Sequence, residues 1–104
     1  MSQLEAERQH DRLHDVLDAI HNERDRIIKL TVQNPRFVDL ANPFTRDADR
    51  LRIIVEEIGE VARCLNESKD PKSELIQLGA AVVSWLEGTI AWEDYRMKKV
   101  EEGV

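Results

Sequence analysis

With a single cysteine, Cys64, the 104-residue chain has no intrachain disulfide. That cysteine falls among the apolar positions of a predicted helix, which reads as core filler in a reduced, cytoplasmic setting. Only four glycines occur, none of them in a Gly-rich phosphate loop or a nucleophile elbow. Prolines are as few, at 35, 43 and 71, and they punctuate the chain instead of interrupting its long periodic stretches. Basic residues are in deficit: 15 Lys and Arg against 21 Asp and Glu leave a formal charge of −6. That balance argues against a broad nucleic-acid or anionic-membrane surface. No stretch reads as the roughly 18 apolar residues of a membrane span, and residues 1–8 lack the apolar core of a signal peptide. His10, His14 and His21 have no cysteine or second histidine cluster to complete a zinc set. A soluble, unprocessed protein is expected.

What remains is helix. A chain this short is one domain, 1–104, and buries only about two-thirds of its unfolded surface, so a partner subunit is expected. From about residue 3 to 30 the sequence is free of Gly and Pro, and Leu13, Val16, Leu17, Ile20, Ile27 and Ile28 recur at helical spacing. Residues 31–45 hold two Asn-Pro pairs around Phe37, Val38, Leu40 and Phe44, the mark of a structured loop. A second helix is expected over 46–67, with Ala48, Leu51, Val55, Ile58, Ala62 and Leu65 as its core stripe, widened by Ile54 and Val61. Asp70 and Pro71 mark the start of a third, over 71–88, after a short turn that makes an antiparallel hairpin. This helix is apolar nearly all round and so is expected to be the most buried. Its exception is one seam of polar and small residues: Glu74, Gln77, Ala81, Ser84 and Gly88. Residues 89–102 can continue as helix, and Gly88 leaves open whether they do. No segment reads as a strand.

The chemistry concentrates on the hairpin. Glu56, Glu57 and Glu60 share an arc of about 100° on the second helix, largely opposite its stripe. Glu74 and Gln77 lie one turn apart on the third, level with Glu60 across the turn. Oxygen-only ligands select hard cations such as Mg²⁺ or Mn²⁺, and Mg²⁺ characteristically bridges carboxylates to substrate phosphates. For Glu56, Glu57 and Glu60 the plainer reading is a solvated acidic face. That reading is weaker for Glu74 and Gln77, since buried polar groups need partners. Arg24, on the inward side of the first helix, reads either as an arginine snorkelling over the bundle edge or, with Glu23, as reaching a ligand.

Glu56-Glu57-x-x-Glu60 followed by Glu74-x-x-Gln77 resembles the signature of the MazG-like, all-alpha nucleoside triphosphate pyrophosphohydrolases, in a branch where Gln replaces the usual Asp. Glu23-Arg24 also resembles that branch, and the likeness spans roughly residues 20–87. The resemblance implies an all-α, four-helix-bundle-like fold completed by dimerisation, as dimers or dimers of dimers. It also implies Mg²⁺-dependent conversion of a nucleoside triphosphate to the monophosphate and pyrophosphate, a nucleotide-pool clean-up reaction. Glu57, Glu60 and Glu74 would be metal ligands, with Gln77 in the place of the Asp. Glu56 would be a further ligand or the base for the attacking water. By residue type, Arg24, Arg63 and Lys72 are candidates to neutralise pyrophosphate, and Trp85 or the loop aromatics to stack on the base, although Trp85 fits the core better. The alternative is a catalytically weak or inactive helical dimer of this kind, serving as a nucleotide- or protein-binding module. A third reading is an interaction module whose acidic face is only solvated.

Overall fold

The computed structural model describes residues 1–103, and every described element is helical: α1 (Gln3–Gln33), α2 (Asp47–Asn66) and α3 (Lys72–Glu101). Local chemistry sets the helix ends. Ser2 caps α1 by accepting the Glu5 amide at 3.2 Å, and α1 stops at Asn34, in the extended conformation that a following proline favours. Asp47 and Asp49 in the first turn of α2 complement its macrodipole. The helix closes in a Schellman motif, with the Lys69 amide on the Cys64 carbonyl at 2.8 Å and the Ser68 amide on that of Leu65 at 3.2 Å. Ser68 takes the left-handed position of that motif, at φ 56°. Asp70 then accepts the Lys72 amide at 3.0 Å and starts α3.

α3 runs through Gly88 unbroken, so residues 89–101 belong to it, and one chain supplies three helices. Gly88 is there because of a close approach. A side chain at 88 would collide with the Arg50 guanidinium and the Leu40 carbonyl. Arg50, only 4% exposed, donates to the carbonyls of Leu40 (3.0 Å) and Asn42 (2.7 Å) and to Asp47 Oδ1 (3.0 Å). It thereby ties the 34–46 loop to the start of α2. Within that loop Asn34, Asp39 and Asn42 each accept a backbone amide two residues on, and Thr45 closes the turn by donating to the Asp39 carbonyl. Phe44 packs edge-on against Trp92 and Tyr95 of α3.

α3 is the central helix, as its composition predicts, with α2 antiparallel on one flank and α1 on the other. Two points differ from the sequence expectation. The stripe Leu51, Val55, Ile58 and Leu65, expected to form the core face of α2, is exposed, and α2 instead turns Arg50, Ile53, Ile54, Glu57, Val61 and Cys64 toward α3. α3 is likewise buried only where the flanking helices meet it, at Ala80, Ala81, Ser84 and Gly88, while Leu75, Val82 and Leu86 stand in solvent. The reason is geometric. One chain has only two helices to set against α3, and they leave Leu75, Val82 and Leu86 uncovered.

At about 100° per residue the exposed stripe of α2 lies on one side of its α3-facing line, and that of α3 on one side of its α2-facing line. Because the helices run antiparallel, both stripes turn to the same side of the hairpin. Glu56 and Glu60 turn to the other, toward α1. The hairpin thus has an apolar face and an acidic face. By length and composition α3 is also apolar enough to cross a membrane, with a mean hydropathy of 1.3 in an 18-residue window. This differs from the sequence expectation of no such stretch. The helix nevertheless carries Glu74, Gln77 and Glu87 and packs against both neighbours.

Candidate functional site: the acidic groove beside α3

The predicted acidic residues assemble around Glu57. Its side chain points from α2 toward α3, and its Oε2 is buried with no hydrogen-bond partner. Burial first, then the charges of Glu74, Glu60, Glu56 and Glu23 in that order, push the Glu57 carboxyl above the usual glutamate range. The structure therefore brings together acids from all three helices: Glu23 of α1, Glu56, Glu57 and Glu60 of α2, and Glu74 of α3. Beyond Glu74 and Gln77 the small-residue seam of α3 continues through Ala80, Ala81 and Ser84, which are buried. Ser84 satisfies its own hydroxyl by donating to the Ala80 carbonyl at 2.8 Å. Gln77 sits half-buried on the same seam.

Crowded carboxylates relax by finding cations, and three of the five have done so. Glu60 pairs with Arg63 one turn on, Glu23 with Arg26, and Glu56 with Arg52 at 3.5 Å. Among the described residues no three His, Cys, Asp or Glu side chains are gathered in metal-ligand geometry. Glu57 and Glu74 have no ion pair among the described residues, and Glu57 alone of the five leaves a buried oxygen without a partner. The charges of four further acids bear on the Glu57 carboxyl, and oxygen donors are of the type that suits a hard divalent cation.

The three basic candidates are dispersed. Arg24 is 12% exposed and donates from Nε to Glu87 of α3 at 2.6 Å, while its Nη1 is buried without an acceptor. It spans the α1–α3 interface beside the groove, so it is more than an arginine lying over the edge. Arg63 is committed to Glu60. Lys72 lines an open cleft between α1 and the start of α3, together with Glu23, Arg26, Asp70 and Ser73. Trp85 is half-buried, outside the buried core, and donates from Nε1 to Asp47 Oδ1 at 3.1 Å, which makes it a clamp between α2 and α3.

Sequence reasoning missed Arg50 and Glu87. Arg50 had a signal: it lies on the line Arg50, Ile54, Glu57, Val61, Cys64, opposite the seam that ends at Gly88. Glu87 had none, since its partner is 63 residues away. Comparison of the chain with family models, with curated proteins and with solved structures finds no match.

Proposed function

We propose that the protein is a Mg²⁺-dependent nucleoside triphosphate pyrophosphohydrolase of the MazG-like kind, acting on free nucleotides in the cytoplasm as a homodimer or a dimer of dimers. One observation carries the reading. Glu57 is a half-buried carboxylate with an oxygen that no group of the chain satisfies, ringed by Glu74, Glu60, Glu56 and Glu23. Such crowding is costly unless a cation answers it.

In this reading Glu57, Glu60, Glu74 and the Gln77 amide oxygen hold Mg²⁺, for which Mn²⁺ can substitute. When bound, the ion neutralises the phosphate chain and acidifies a bound water. Glu60 exchanges Arg63 for the cation, which frees the guanidinium to meet phosphate. Glu56 would take a proton from the attacking water, a reading supported by its exposure and its long contact to Arg52. Arg24 presents its unpaired Nη1 from the α1 side, and Lys72 stands at the mouth of the neighbouring cleft. The three-helix chain becomes a four-helix-bundle-like unit through its partner.

The test is pyrophosphate release from a panel of canonical and modified nucleoside triphosphates, with Mg²⁺ or Mn²⁺ and with a chelator. Chelator-sensitive release is the expected result. A second reading has its own observation: Gln77 removes one negative charge from the ligand set and three of the acids are already paired, as in a scaffold that binds nucleotide without turning it over. Silence across the panel, in protein whose Tm rises with Mg²⁺ plus nucleotide, would select it.

A further inference from the structure

We infer that the outer face of α1 carries a transition-metal site, in which His10 and His14 chelate one divalent ion of the Cu²⁺ or Zn²⁺ class, separate from the acidic groove and independent of the proposed hydrolysis.

The first argument is placement. α1 runs unbroken from Gln3 to Gln33, and its Val16 and Ile20 side turns to α3, where Ile20 meets Gly79. At about 100° per residue, Glu7, His10, His14 and Asp18 share an arc of about 80° roughly opposite that side. Residues 3–18 are all exposed, so no neighbouring helix competes for the two imidazoles. Among the described residues the histidine drawn to an acid is His21, with Asp25 at 3.7 Å, while His10 and His14 face each other.

The second is distance. The two ring centres are 4.7 Å apart, with the ring planes at 61°. With metal–nitrogen bonds of about 2.0–2.1 Å and about 90–110° at the ion, two imidazole ligands place their ring centres roughly 4.5–5.2 Å apart. The helix thus holds both rings at a chelating separation before an ion arrives. The same i, i+4 spacing is the one by which a helix offers two histidines to a single zinc.

The third is charge and donor type. Glu7 lies one turn before His10 and Asp18 one turn after His14, whereas Arg8 and Arg12 lie on the far side of the helix. His21 stands two turns beyond His14, out of reach of the same ion, so the site is an open two-nitrogen chelate completed by water or a flanking carboxylate and not a closed four-ligand zinc set. Imidazole suits Cu²⁺, Ni²⁺ and Zn²⁺ and leaves Mg²⁺ to oxygen donors. Occupancy has a local consequence. An ion bridging two successive turns fixes a stretch of α1 in which no residue is buried against the rest of the chain.

The experiment is calorimetric titration of the metal-free full chain with copper(II) chloride and, separately, zinc chloride, with electron paramagnetic resonance of the Cu²⁺ complex. One tightly held ion per chain is expected, with Cu²⁺ bound more tightly than Zn²⁺, no displacement by millimolar magnesium chloride, and superhyperfine splitting from two equatorial nitrogens. His14→Gln and His10→Gln should each lower Cu²⁺ affinity at least about tenfold, and His21→Gln should leave it unchanged. The double variant His10→Gln, Asp18→His rebuilds an i, i+4 imidazole pair one turn further along and should recover the affinity that His10→Gln alone loses, which separates chelation from damage to the helix. Cu²⁺ binding that is the same in His14→Gln as in the wild type overturns the proposal. So does a spectrum with fewer than two nitrogens, displacement of Cu²⁺ by magnesium, or a double variant as weak as His10→Gln.

Discussion

At the residue scale the groove is governed by a proton that one glutamate holds too tightly. The Glu57 carboxyl is raised by burial and by four neighbouring acids, so the folded chain keeps this proton at a pH where the unfolded chain has released it. Stability from this group is fully present below the ordinary glutamate range and is lost as pH rises through the elevated folded-state value. Glu57→Gln removes the charged form. In metal-free protein near neutral pH it should raise Tm by about 2–5 °C and remove the loss of stability that accompanies the rise of pH through the elevated Glu57 value. The same change should abolish chelator-sensitive hydrolysis and the thermal shift with millimolar Mg²⁺. A fall in Tm on this substitution would show that the carboxylate supports the fold. Glycine offers a second contrast. Gly59 has open space around its Cβ position, whereas a Cβ at Gly88 runs into Arg50 and the Leu40 carbonyl. Urea titration should therefore find Gly59→Ala stabilising by about 0.5–1 kcal/mol and Gly88→Ala destabilising by about 1–3 kcal/mol.

At the scale of elements the helices were largely legible. Apolar period, the Asn34-Pro35 break and the Asp70-Pro71 start place α1, α2 and the beginning of α3 to within a few residues. The groove was partly legible as well, because acids at i, i+1 and i+4 must share an arc whatever packs beside them. Which face of α2 points inward was not legible. Leu51, Val55, Ile58 and Leu65 form the more apolar stripe, and a rule that sends the most apolar face to the core chooses it. The single chain instead buries the face that ends in Arg50, since that arginine alone can satisfy the carbonyls of Leu40 and Asn42. Gly88 was undecidable for a related reason: a helix glycine reads the same whether it breaks the helix or admits a neighbour. The end of α2 gives a test at this scale. Ser68 pays a left-handed φ in its Schellman turn. Ser68→Gly should stabilise the protein by about 0.5–1 kcal/mol in urea unfolding, without altering helix content by circular dichroism; a loss of stability would mean that the side chain contributes something the turn does not reveal.

At the scale of the whole molecule, the chain is a thin layer of 54 × 37 × 24 Å with two chemically different faces. Its charge of −6 sets a condition on assembly. In the homodimer proposed above two such chains repel at long range, so added salt should strengthen their association. Raising NaCl from about 20 to 300 mM, which shortens the Debye length to below about 8 Å, should lower the dimer Kd severalfold in sedimentation. A Kd that rises with salt would point to ion pairs as the source of affinity.

The two tryptophans of α3 stand on either side of Gly88 in unlike surroundings. The Trp85 indole is held by Asp47 at the start of α2, and Trp92 is stacked with Tyr95 beneath Phe44 of the loop. The chain thus carries two intrinsic fluorophores, one reporting on the seating of α2 and the other on the seating of the loop. With Trp92→Phe or Trp85→Phe as single-channel versions, emission and quenching can follow the two dockings separately in the unlabelled protein.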